Sequence, residues 1–261
     1  MTNFETLWRS PPRDLTLSSN EVHLWRAALN TSAGELQALS KILSADEQLR
    51  AEQFHFEQHR KRFITARGLL RTLLSRYLDM EPHQLQFSYT ARGKPALANT
   101  CGNKRLRFNL SHSQDWVVYA FAWDVSGYPC KVGIDLEYLR PFPQAEQIAK
   151  RFFSAQEYAV LRTLARQQQQ KAFILGWTRK EAYLKATGEG LAGSLEQVEV
   201  SLSALEPAQL LKIVGDSEAA SCWSLHDLNL GNSYQLRLIA QLRHTWRRAD
   251  KELEVISLVC D

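Results

Sequence analysis

Two stretches of the sequence carry side chains able to do chemistry. In VGIDLE (132–137), strand alternation puts Gly133, Asp135 and Glu137 on one face and Val132, Ile134 and Leu136 on the other. In WTRKEAYLKATGEGL (177–191), Trp177, Glu181 and Lys185 fall near one face of a helix, which Gly188 and Gly190 then end. Each stretch has an ordinary reading. VGIDLE alone is an amphipathic edge strand with a wet acidic face. Glu181 and Lys185 alone are a surface ion pair worth about 0.3–0.5 kcal/mol. Combined, they point elsewhere. Asp135, Glu137 and Glu181 repel one another unless a cation sits among them. Converging carboxylates suit a hard divalent ion such as Mg2+, which binds one or two of them and completes its shell with phosphate oxygens and water. Lys185 is then a natural phosphate partner.

Upstream lie candidate phosphate contacts. RGKPAL (92–97) puts Lys94 on a Gly-Pro turn, where backbone can approach a ligand. Its ordinary reading is a hairpin turn with a solvated lysine. NLSHS (109–113) puts Ser111 and His112 at a strand end, able to donate hydrogen bonds to a pyrophosphate from a loop. The ordinary alternative is a turn with local serine-to-backbone bonds. The two are adjacent and have no acidic orienter, which argues against a hydrolase triad. Arg50, Arg60, Lys61 and Arg62 make a helix basic, and a solvated face accounts for most of them.

The elements that must position these residues follow from periodicity. Residues 20–30 read as a strand. The stretch from Leu43 to Met80 reads as a long helix, with Ser44 and Glu47 as a capping box at its start. RLRFNLS and WVVYAFAW read as strands around the link HSQD, and SGYPCK as a connector into VGIDLE. A second helical stretch, with a capping box at Ser154 and Glu157, runs to Gly188, and residues 195–258 alternate like strands and turns. Shifted by 110 residues, the chain partly matches itself: Val22 falls on Val132, Ser44 on Ser154, Glu47 on Glu157, and Phe63-Ile64 on Phe173-Ile174. This predicts an α+β fold of two pseudo-symmetric α/β lobes from an internal duplication, residues 1–125 and 126–261. Where the second lobe has Asp135, Glu137 and Glu181, the first has Trp25, Ala27 and Arg71. One ligand site at the interface follows. The apolar side of VGIDLE is expected in the core of the second lobe, with its acids facing the first lobe across a cleft.

The whole chain sets bounds. With 261 residues, 44% hydrophobic and 23% charged, it can bury a sizeable core. A net charge of +4 suits an acidic partner or a phosphorylated ligand and is too small to argue for nucleic acid. Cys101, Cys130, Cys222 and Cys260 lack metal-ligand spacing. The N-terminus has no apolar signal region and no run approaches a membrane span, so a cytoplasmic chain with reduced thiols is expected.

In this order, RGKP, NLSHS, VGIDLE, FFSAQE and WTRKEAYLKATGEGL resemble the motifs of the 4'-phosphopantetheinyl transferases of the surfactin-synthetase-activating type, over roughly residues 20–240. The resemblance implies a monomer with two pseudo-symmetric lobes. It implies Mg2+-dependent transfer of phosphopantetheine from coenzyme A to a serine of an apo acyl or peptidyl carrier protein, releasing adenosine 3',5'-bisphosphate. Matched by motif, Asp135, Glu137 and Glu181 are the metal acids. Glu181 is the base, directly or through water, and Lys185 the partner of the leaving phosphate. Lys94, Ser111 and His112 meet coenzyme A, as does Arg50, near its 3'-phosphate. Ser154 and Glu157 match a family motif but read first as a structural cap. Carrier proteins are acidic, so Arg151, Arg162, Arg166, Lys171 and Arg179 are candidates for a docking face. A phosphohydrolase of a nucleotide pyrophosphate and a non-catalytic coenzyme A-binding module are the competing readings.

Overall fold

The computed structural model describes residues 8–98, 105–124, 130–190, 195–203, 205–216, 218–231, 233–241 and 254–260. Cys101 and the first part of the SGYPCK connector lie outside them.

The first half begins with β1 (Glu21–Ala28) and three helices, α1 (Ala33–Lys41), α2 (Ala45–Glu52) and α3 (Glu57–Leu78). Strands β2 (Phe87–Tyr89), β3 (Pro95–Leu97), β4 (Leu106–Ser113) and β5 (Trp116–Trp123) follow. The second half repeats that order. It runs β6 (Val132–Tyr138), α4 (Ala145–Phe152), α5 (Ala155–Thr163), α6 (Arg166–Thr187), β7 (Val198–Val200), β8 (Leu210–Ile213), β9 (Trp223–Leu228) and β10 (Tyr234–Gln241). The sheets repeat too: β1-β5-β4 in one half and β6-β10-β9 in the other. The fold is therefore a duplicated α+β unit, as the self-match predicts.

The last strand breaks the symmetry. β11 (Glu254–Val259) leaves the second half and pairs parallel with β1, in register from Glu21↔Glu254 to Arg26↔Val259. A strand from beyond residue 125 thus joins the first half's sheet. Its alternating sequence promised a strand, but nothing local in it named the partner.

Each sheet has its helices on one face and the other sheet on its other face. Leu70, Leu73 and Leu74 of α3 meet Trp25, Tyr119 and Phe121 on one outer face, and Phe173, Ala182 and Leu184 of α6 meet Ile239 on the other. Between the sheets, Val22, Leu24, Val118 and Ala120 meet Ile134, Leu136, Leu236 and Leu238, all fully buried or nearly so. Each such leucine or isoleucine contributes about 1.5–3 kcal/mol. The apolar side of VGIDLE therefore faces the first lobe's sheet. The expectation that it lines the second lobe's own core is corrected, because α6 covers the opposite, Gly133–Asp135 face.

Two local readings also change. The helical stretch from Leu43 to Met80 is two helices, broken where Gln53 caps α2 and Phe56 turns extended before α3. β4 runs through Ser113, with only Gln114 (φ 51°) and Asp115 left for the turn, so Ser111 and His112 sit in a paired strand opposite Val118 and Val117 rather than in a loop.

A candidate active site at the junction of the sheets

The strand motif NLSHS builds a seam between the lobes. Asn109, Ser111 and Ser113 alternate along β4 and point toward the edge of β6. Asn109 Oδ1 accepts a hydrogen bond from the Ile134 amide (2.8 Å), Ser111 Oγ one from the Leu136 amide (3.1 Å), and Ser113 Oγ one from the Tyr138 amide (3.1 Å). Side chains thus stand in for a backbone ladder and satisfy edge amides that would otherwise lack partners. This registers β6 against the first lobe.

The acidic face of β6 is set at this seam. Asp135 is 4% exposed. Its Oδ1 lies 2.6 Å from Lys185 Nζ and 3.3 Å from Ser111 Oγ, and Lys185 Nζ also donates to Ser111 Oγ at 2.8 Å. Its Oδ2 is buried and has no hydrogen-bond partner among the described residues. A carboxylate oxygen in that state costs about 1–3 kcal/mol or more unless a ligand takes it up. Burial raises the Glu137 pKa, and Asp135 raises it further, against Lys185, Arg140 and a bond from Ser113. Glu181, one helical turn from Lys185, is pushed up to about 7 by burial, then by Asp135 and Glu137, with Lys185 opposing. The carboxylates therefore feel one another, with the Lys185 ammonium opposing the shift at both Glu137 and Glu181.

An oxygen-only donor set with one orphaned oxygen fits a hard divalent cation. Among the described residues, however, no three His, Cys, Asp or Glu side chains are already drawn around a common point. Lys185 holds the place beside Asp135 that positive charge requires.

The other sequence-predicted residues divide. His112 is exposed on the far side of β4, and its pKa is lowered by desolvation, then by Lys185, Arg62 and His59, so it belongs to a basic rim. Lys94 does not project into solvent. Its Nζ donates to the Ala186 carbonyl at the end of α6 (3.0 Å), and burial, Arg107 and Lys131 lower its pKa to about 8. The β2–β3 hairpin thereby ties the first lobe to the helix that carries Glu181 and Lys185. Arg50 is exposed on α2 with its guanidinium over Phe63 at 5.6 Å, and no hydrogen bond or ion pair among the described residues joins it to the acids. Arg179 is corrected as a docking candidate: it is fully buried, bonded to Asp227 and Ser201. Glu157 caps α5 with Ser154, as expected, and also pairs with the buried Lys180 (2.6 Å) and the Val200 amide (2.8 Å).

Sequence reasoning missed the charge network under the site. Arg237 pairs across the sheet with Asp135, is 4% exposed, and has Nε 2.7 Å from Asp227 Oδ1. Burial lowers its pKa to about 10 while Asp227 and Asp135 raise it. An arginine inside the apolar strand run LRLIA was the available signal.

Comparison with known proteins adds an independent line. The 4'-phosphopantetheinyl transferase superfamily model matches residues 131–239, and a model described as 4'-phosphopantetheinyl transferase, N-terminal, matches residues 27–123. The chain is similar to the 4'-phosphopantetheinyl transferase HetI of Nostoc sp., 48% identical over 221 residues, covering 85% of this chain and 88% of that one. It is similar to the 4'-phosphopantetheinyl transferase psf-1 of Bacillus pumilus, at 34% over 71% of this chain and 74% of the relative. It is also similar to the 4'-phosphopantetheinyl transferase Sfp of Bacillus subtilis, at 30% over 66% and 71%.

Proposed function

The chain belongs to the 4'-phosphopantetheinyl transferase superfamily and is a transferase of that kind; on that premise we propose that it moves phosphopantetheine from coenzyme A to a serine of an acidic apo acyl or peptidyl carrier protein. Adenosine 3',5'-bisphosphate is the second product. The observation that carries the reading of the site is the buried Oδ2 of Asp135, unpartnered among the described residues, beside two carboxylates whose pKa values are raised.

Asp135, Glu137 and Glu181 would hold a magnesium ion. When bound, the ion neutralises pyrophosphate charge during in-line displacement. The chain's own residues do the rest. Glu181, with a pKa near 7 before ligand binds, takes the proton of the attacking serine directly or through a water. The serine oxygen bonds to the phosphorus on the pantetheine side, and the bridging P–O bond to the bisphosphate breaks. Lys185, already held at the acids by Asp135 and Ser111, stabilises or protonates the leaving phosphate. His112, whose pKa is lowered, offers coenzyme A a hydrogen bond rather than a charge, and Arg50 contributes positive charge on the first lobe. Ser111 binds at the seam, where it orients Lys185 and Asp135 as well as facing the ligand, and Lys94 acts there from the α6 terminus. Residues 1–125 and 126–261 are the two lobes, with β11 returning to the first. Because Ser111 from one lobe meets Asp135 and Lys185 from the other within one chain, the unit works as a monomer, and we place it in the cytoplasm. Exposed Arg151, Arg162, Arg166 and Lys171 are the candidates for carrier docking.

The test is an incubation with coenzyme A, Mg2+ and several apo carriers, read by intact mass. The expected result is a carrier heavier by one phosphopantetheine, with bisphosphate released only when carrier is present. Hydrolysis of coenzyme A at equal rate without carrier, with no mass gain, would overturn the reading.

A further inference from the structure

Gly133 shares the face of β6 with Asp135 and Glu137, and α6 lies across that face. A Cβ at Gly133 would fall 2.0 Å from the Ala182 carbonyl oxygen, 2.6 Å from the Ala186 amide nitrogen and 2.9 Å from Ala186 Cβ. Two of those atoms are helix backbone, so no rotamer change makes room and α6 itself must move out. The glycine is not there for its backbone angles, which are not of the left-handed kind. It is there for space. The contact sits amid the reacting groups. Ala182 and Ala186 directly follow Glu181 and Lys185, and Gly133 is two residues from Asp135.

The first lobe shows the alternative. At the position equivalent to Gly133, 110 residues earlier, it has His23, a buried ring that fills the space and bonds to Tyr77 of α3 through Nδ1 at 2.8 Å. The same strand–helix pair thus exists in two versions, one holding a ring between the elements and one with them in backbone contact. Only the close version carries the acids.

Resting on the transferase reading, we infer that Gly133 is a positioning residue for the transfer: by letting α6 touch β6, it sets the spacing of Glu181 and Lys185 from Asp135 and Glu137. Gly133→Ala pushes the helix from the strand side, and Ala186→Val pushes it from the helix side. Gly68→Ala is the control. It crowds Leu39 Cβ at 2.7 Å, between α3 and α1, away from the Ala182 and Ala186 atoms that a Cβ at Gly133 would meet. The expected result for the first two variants is a kcat about 100-fold lower, the effect of a misplacement near one ångström, with the KM for carrier little changed. The control loses thermal stability and keeps its kcat. A crystal structure of Gly133→Ala should show Lys185 Nζ beyond hydrogen-bond distance of Asp135, more than about 3.5 Å. Near-wild-type kcat in Gly133→Ala, an unmoved helix in its crystal structure, or an equal kcat loss in the control overturns the inference. If Gly133→Ala does not fold, Ala186→Val is judged by the same criteria. A wild-type chain that transfers nothing defeats the transferase reading instead, and the helix position in the crystal structure still decides whether Gly133 sets the spacing.

Discussion

Glu181→Gln should make the metal-free protein more stable at mildly alkaline pH while leaving it without transfer activity. The Glu181 carboxyl is half-buried, and its pKa is raised from 4.5 to about 7, first by burial and then by Asp135 and Glu137. In the unfolded chain it returns to the ordinary value. The sign follows for an acid whose folded pKa is the higher one. Below about pH 4.5 both states hold the proton and the site costs nothing. As pH rises toward 7 the unfolded chain ionises first, so stability falls. Above about pH 7 the folded carboxyl is forced to ionise beside two others and the cost is complete. The separation of the two values converts to a ceiling of about 3 kcal/mol, and relaxation and water around a half-buried group bring the expectation to about 1–3 kcal/mol. Glutamine keeps the shape and carries no charge, so the variant escapes this cost. The assay is urea denaturation of both proteins in chelator across a pH series. The stability difference should be near zero at about pH 4 and reach about 1–3 kcal/mol in favour of the variant at about pH 8. A difference that does not change with pH, or a variant less stable at pH 8, would refute the reasoning that these acids oppose one another. Stability gained together with activity lost is the trade expected of a strained site.

Other outcomes follow from the same contacts. Glu157→Ala should cost about 3–5 kcal/mol by chemical denaturation rather than a cap's worth alone, because it strands the buried ammonium of Lys180. Adding Lys180→Met should recover part of that loss, and no recovery would dismiss the ion pair as the cause. Ser111→Ala should leave the buried Leu136 amide without its acceptor, lowering stability by about 1–3 kcal/mol, and should reduce transfer by loosening Lys185; full activity would remove Ser111 from the site. Ending the chain after residue 253 strips β11, with its fully buried Leu258, from the edge of β1. The melting temperature should drop, and an unchanged melt would mean that β11 contributes nothing to the first lobe.

Much of this was legible in the sequence because local pattern and chemistry agreed. The two capping boxes, the long helix ending at Gly188 and the 110-residue self-match each reflect short-range rules, and the duplicated element order follows from them. The meeting of Asp135, Ser111 and Lys185 was readable as a juxtaposition of motifs. What was not legible depends on distant partners. Which sheet β11 joins, and which lobe the apolar side of VGIDLE faces, are decided by packing between halves and not by alternation. Arg179 and Lys94 look like free cations in sequence, and become structural only because Asp227 and the Ala186 carbonyl stand opposite them. Gly133 was read as a neighbour of two acids, and its need for space appears only once α6 is laid against it.

We propose that Asp135, at the seam of the two lobes, holds the metal on which transfer depends. The most direct measurement is intact-mass analysis of an apo carrier incubated with coenzyme A and either the wild-type protein or folded Asp135→Ala, with Mg2+ and with chelator. A phosphopantetheine mass gain is expected only for wild type with Mg2+, and none for the variant at any Mg2+ concentration. Near-wild-type transfer by Asp135→Ala, or by wild type in chelator, would contradict it.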